Sequence, residues 1–86
     1  MTLSNGFEVD IQPDVLDDME IIEATAEVEA GNVAAVGRLV GMLIGAENKK
    51  RLYEHIRRQE GRVKATKVSE CVAEIFRELG EAGKKP

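Results

Sequence analysis

The 86-residue chain has one cysteine, one histidine, no tryptophan and three aromatic residues, Phe7, Tyr53 and Phe76. A lone Cys71 closes no internal disulfide, which excludes the stapled secreted scaffolds. His55 and Cys71 together are too few ligands for a zinc site of the usual type. No apolar run approaches the roughly 18 residues that a membrane-spanning helix needs. Met1-Thr2-Leu3-Ser4-Asn5 has neither a basic n-region nor an apolar h-region, so no signal peptide is expected. No glycine-rich phosphate loop follows a strand, which argues against a nucleotide site. These absences lead to the expectation of a soluble protein in a reducing cytoplasm, with no membrane partner.

What is present is an aliphatic protein, 43% hydrophobic and 33% charged. At this size a chain buries roughly 60–65% of its unfolded surface, enough for one thin core. A single helical domain over 1–80 with a frayed tail at 81–86 is expected. Charge is segregated. Residues 1–30 hold nine acids and no lysine or arginine, whereas the rest holds all 12 basic side chains and 7 acids. Two consequences stay open: the halves attract within one small fold, or one face steers a charged partner or a second copy.

The patterning predicts a mainly α protein: a short N-terminal β-hairpin at about 2–11, then a compact bundle of four helices at about 13–30, 33–44, 47–59 and 65–80. Phe7, Val9 and Ile11 alternate with Glu8, Asp10 and Gln12, and Asn5-Gly6 is the dipeptide of a type I′ turn. Helix one starts near Pro13, or at Asp17 as N-cap, with Leu16, Met19, Ile22 or Glu23, Ala26 and Val28 inward. Gly31-Asn32 ends it, and Asn32 caps helix two, which is apolar almost all round from Val33 to Ile44. Helix three turns Leu52, Tyr53 and Ile56 inward; helix four carries Val68, Cys71, Val72, Ile75, Phe76 and Leu79 and stops at Gly80.

Little in this pattern carries chemistry. Asp17 and Asp18 diverge on a helix, whereas a metal cage needs converging oxygens. His55 has no nucleophile beside it in sequence, and Cys71 on an apolar stripe behaves as a small hydrophobe. No catalytic residue, metal or cofactor is expected, and the chain is not expected to be an enzyme. Two surfaces stand out as partner-binding candidates. Gly37 and Gly41, with Gly45, leave a smooth groove on helix two, for close packing within the chain or for self-association as a homo-oligomer. Lys49, Lys50, Arg51, Arg57, Arg58 and Arg62 make a basic stretch after it. That stretch raises a DNA-binding regulator as an alternative, but nucleic acid is not favoured: Glu70, Glu74 and Glu78 would face phosphate badly, and the whole chain carries −4.

Leu3-Ser4-Asn5-Gly6-Phe7-Glu8-Val9-Asp10-Ile11 and Val15-Leu16-Asp17-Asp18-Met19-Glu20 resemble the start of small tail assembly chaperones of long-tailed, siphovirus-type phages and prophages. The resemblance continues at Leu43-Ile44-Gly45 and Leu52-Tyr53-Glu54-His55-Ile56-Arg57. It closes at Glu60-Gly61-Arg62-Val63 and Val68-Ser69-Glu70-Cys71-Val72-Ala73-Glu74-Ile75-Phe76, so it covers nearly the whole chain. It implies a mainly helical protein of the host bacterial cytoplasm. Such a protein binds the tail tape measure protein, keeps it soluble, helps tail tube protein polymerise around it, and is absent from the finished virion. A structural tail or capsid component is the other viral alternative.

Overall fold

The fold follows from where apolar residues recur and where glycine lets the chain turn. A computed structural model describes the backbone of residues 1–84 and the side chains of residues 1–80. A 3-10 turn at Pro13–Asp17 precedes four helices: α1 (Met19–Glu29), α2 (Ala35–Ile44), α3 (Ala46–Glu60) and α4 (Ala65–Lys84). The mainly helical bundle read from the sequence is what forms.

The N-terminal β-hairpin is not there. No strand forms among the described residues, only one isolated antiparallel bridge between Thr2 and Glu8. A type I′ turn needs positive φ at both central residues. Here Gly6 alone has it, at +90°, and Asn5 does not. The reversal takes three residues instead: Gly6 N–H donates to the Leu3 carbonyl at 2.9 Å and Leu3 N–H donates to the Phe7 carbonyl at 2.8 Å. Asn5 Oδ1 accepts from Phe7 N–H at 3.0 Å, an Asx-type bond that competes with a sheet ladder. Such a short reversal is marginal alone. Contacts with the helices hold it: Leu3, Phe7 and Val9 are buried in the common core and Ile11 is half-buried, while Glu8 and Asp10 face water. The expected alternation is therefore correct although the strands are absent.

The first helix is shorter than 13–30. Pro13 opens a 3-10 turn, Asp18 is extended, and α1 begins at Met19 with the Asp18 carboxylate accepting from Glu20 N–H at 2.9 Å. The extended Asp18 breaks the helical phase, so Leu16 does not set the inward face of α1. Ile21 and Ala24 are buried and Val28 is half-buried; Met19 and Ile22 point outward at 65% and 50% exposure, and Ala26 is exposed. The predicted inward stripe through Met19, Ile22 and Ala26 is thus rotated off the core. Gly31, at φ +101°, ends α1 as expected, with Asn32 N–H reaching the Glu27 carbonyl and Gly31 N–H the Val28 carbonyl, both at 3.0 Å.

Asn32 does not cap α2. Its backbone carbonyl accepts from Ala35 N–H at 3.0 Å, the helix starts at Ala35 without a side-chain cap, and Val33 is left outside at 61% exposure. Val36, Leu39, Val40, Leu43 and Ile44 then bury a wide apolar face against α1, α3 and α4. Gly45 at φ +85° is the whole link to α3. Leu52 and Ile56 of α3 and Val68, Cys71, Val72, Ile75 and Leu79 of α4 complete a core that is aliphatic apart from Phe7 and Cys71. Gly80 does not stop α4, whose helical backbone continues to Lys84; an interior glycine costs about 1 kcal/mol against alanine, which a long packed helix tolerates. The tail expected at 81–86 is helical in backbone as far as Lys84, and 85–86 lie outside the described residues.

Candidate partner-binding surface

The residues singled out from the sequence do not form one surface. Gly37 and Gly41 lie against α3. A Cβ on Gly37 would sit 3.2 Å from Tyr53 Oη and 3.7 Å from Lys49 Nζ, and one on Gly41 would sit 3.6 Å from Lys49 Cδ. The glycine groove is therefore filled by this chain's own Lys49 and Tyr53, whose ammonium and ring centroid are 5.5 Å apart. Partial burial pushes the Tyr53 hydroxyl pKa above its ordinary value.

Lys49 and Arg51 lie two positions apart on α3, roughly 200° around the helix at ~100° per residue. They consequently serve different surroundings. Arg51 and Arg58 flank His55 in an open cleft of about 400 Å³ that Gly6, Phe7, Glu8 and Glu54 also line. Arg51 stacks over Phe7 at 5.9 Å, and Arg57 pairs with Glu54 at 2.7 Å. Carboxylates thus answer part of the basic face. Lys64 and Lys67 pair likewise with Glu60 and Glu70, at 3.3 and 3.7 Å. Lys50 and Arg62 are exposed, Arg62 in the link before α4.

The side of α3 at His55 and Gln59 is taken by the N-terminal reversal. His55 Nε2 donates to the Asn5 carbonyl at 2.8 Å, and Gln59 Nε2 donates to the same oxygen at 3.1 Å. Glu74 on α4 accepts from Ser4 N–H at 2.6 Å and from Ser4 Oγ at 2.9 Å. Asn5 Nδ2 approaches Cys71 Sγ at 3.6 Å. Burial, then Glu74 and Glu70, raise the Cys71 pKa, outweighing the Asn5 contact and Lys67. Burial thus disfavours the thiolate, the form in which a cysteine reacts. Among the described residues no cluster of three or more His, Cys, Asp or Glu side chains converges to hold a metal, and no helix is long and apolar enough to cross a membrane.

A third surface was not anticipated. Leu16, Ile21, Ile22, Thr25, Ala26, Glu29 and Phe76 line a shallow groove of about 290 Å³ between α1 and α4. The 3-10 turn packs on both of these helices. Among the described residues, Glu29 is the one charged residue in the lining. The signal for it was legible: an 11-residue helix with Met19, Ile22 and Ala26 on one stripe and Ile21, Ala24 and Val28 on the next carries more apolar width than one neighbour covers. Taking Ile22, with Glu23 as the alternative, for an inward position conceals it, whereas Phe76 packs against the core as expected. Comparisons with known protein families, with curated proteins and with solved structures find no match for this chain.

Proposed function

We propose that this chain is a tail assembly chaperone of a long-tailed phage or prophage, working in the host bacterial cytoplasm. It binds the tail tape measure protein, keeps it soluble while tail tube protein polymerises around it, and leaves before the virion is complete. It acts by binding and release rather than by catalysis. The resemblance along the chain suggests the role. The observation that carries it is the apolar surface left uncovered on α1, where Met19 is 65% and Ile22 50% exposed beside a groove that already contains Phe76.

A small domain that leaves apolar residues outside forgoes stability that burial would supply, and contiguous exposed apolar surface marks an interaction site. A tape measure protein is a long helical chain with apolar seams. A helix laid into an apolar groove covers such a seam with few directional bonds, so the tube can later displace it. Charge segregation adds fast encounter at little cost in release.

The test is co-expression with the product of the long reading frame that follows the tail tube gene. The expected result is that most of that product stays soluble and co-purifies with this chain. An insoluble product with no complex rejects the proposal.

A further inference from the structure

The groove between α1 and α4 has a defined chemistry. Its α1 wall is the stripe Ile22, Thr25, Ala26 and Glu29, with Met19 continuing the same face. On α4, Ser69, Ala73, Phe76 and Gly80 recur at four-, three- and four-residue steps along the flank that includes Phe76, and none is charged. The acids of α4, Glu70, Glu74 and Glu78, recur on the other flank, where Glu74 already holds Ser4. Among the described residues the lining is thus apolar apart from Thr25 and Glu29, with Phe76 supplying the α4 side.

Charge on the α1 side has one sign. Asp17 and Asp18 are exposed before the start of α1, Glu23 borders the Met19–Ile22–Ala26 stripe, and Glu29 lies in the groove. Residues 1–30 contain no lysine or arginine to offset them. Arg38 reaches across to Glu27, on the far side of α1 from the groove. Arg77, next to Phe76 in sequence, is an exposed basic residue of α4.

We propose that this groove seats an amphipathic helix of a partner whose apolar face is flanked by lysine or arginine on the side that meets α1. Apolar side chains of the incoming helix fill the space around Ile22 and Phe76, and its basic flank runs along Glu23 and Glu29. A second copy fits less well: in this chain the basic helix, α3, has its own apolar face, Leu52 and Ile56, buried in the core. The inference rests on the proposed function only for the identity of the partner. The groove's preference is a property of this chain and is tested separately.

The probe is a fluorescein-labelled leucine–lysine peptide with helical periodicity, compared with its leucine–glutamate counterpart, titrated with the full chain and read by fluorescence anisotropy. The lysine peptide is expected to bind at least about tenfold more tightly than the glutamate peptide, a difference of about 1.4 kcal/mol. Ile22→Asp and Ala26→Glu, both at exposed positions, are expected to weaken it about tenfold or more while the far-ultraviolet circular dichroism is unchanged. Glu78→Gln, which removes an acid from the far flank of α4, is expected to leave binding intact.

Three results overturn the proposal: equal binding of both peptides, undiminished binding by folded Ile22→Asp and Ala26→Glu variants, or a dimer in light scattering that Ile22→Asp dissociates, which would put a second copy in the groove. Peptide binding without rescue of the tape measure protein keeps the groove and rejects the phage role. Rescue that Ile22→Asp leaves intact keeps the role and rejects the groove as the place where the tape measure protein binds.

Discussion

α1 and α2 are nearly equal in length, 11 and 10 residues, and pack on each other, yet they spend their apolar residues differently. α2 buries Ala35, Val36, Leu39, Val40, Leu43 and Ile44, because α1, α3 and α4 surround it. α1 buries Ile21 and Ala24, because α2 covers one side of it and, among the described elements, the 3-10 turn is the other that packs closely on it. Position in the bundle, not apolar content alone, decides which residues become core. What is left over on the peripheral helix is a surface with hydrophobic character and a border of acids. The central helix supplies stability, and the peripheral helix can supply recognition.

Truncation should break the comparison most sharply. Leu39→Ala on α2, at a position 1% exposed, is expected to cost about 2–5 kcal/mol in urea unfolding, a large share of what a small domain has. Ile22→Ala on α1 is expected to change stability by no more than about 0.5 kcal/mol. Equal losses would mean that Ile22 belongs to the core. Next in size, Asp18→Ala removes the N-cap that starts α1 and is expected to cost about 1 kcal/mol, with hydrogen exchange increasing in α1 before α2. Faster exchange spread evenly over both helices would show that α1 has no independent response. The smallest effect expected is a gain. Gly41→Ala places a methyl at ordinary contact distance, 3.6 Å from Lys49 Cδ, and should stabilise α2 by about 0.5–1 kcal/mol in the same unfolding assay. A loss there would mean that α2 and α3 need the closer approach.

The glycines and the periodic apolar residues made much of the fold legible. Gly31, Gly45 and Gly61 each take positive φ at a boundary read from the sequence, and Leu39, Leu52, Ile56, Val68 and Ile75 are core residues as expected. Two expectations fail for different reasons. At Asn5-Gly6 the dipeptide favours a type I′ turn, but the groups of Asn5 are bound by His55, Gln59 and Cys71, which lie 50 or more residues away. At Leu16–Ile22 the spacing continues a helix, but one extended residue, Asp18, resets its phase. The glycine groove is filled for a related reason. Gly37 and Gly41 form a groove on an isolated α2, and nothing local says that Lys49 and Tyr53 will lie in it.

Local chemistry and periodicity determine that this chain is helical, where glycine interrupts its helices, and that acids gather in its first third while all the bases follow. They act over a few residues, within reach of a hydrogen bond or a helical turn, so sequence order alone expresses them. Which of two adjacent apolar stripes on α1 turns inward, which side chains fill the glycine groove, and where Leu16, Ile22 and Phe76 come together are tertiary decisions. Each depends on the angle at which one helix meets another, and that angle is set by packing the whole aliphatic core at once.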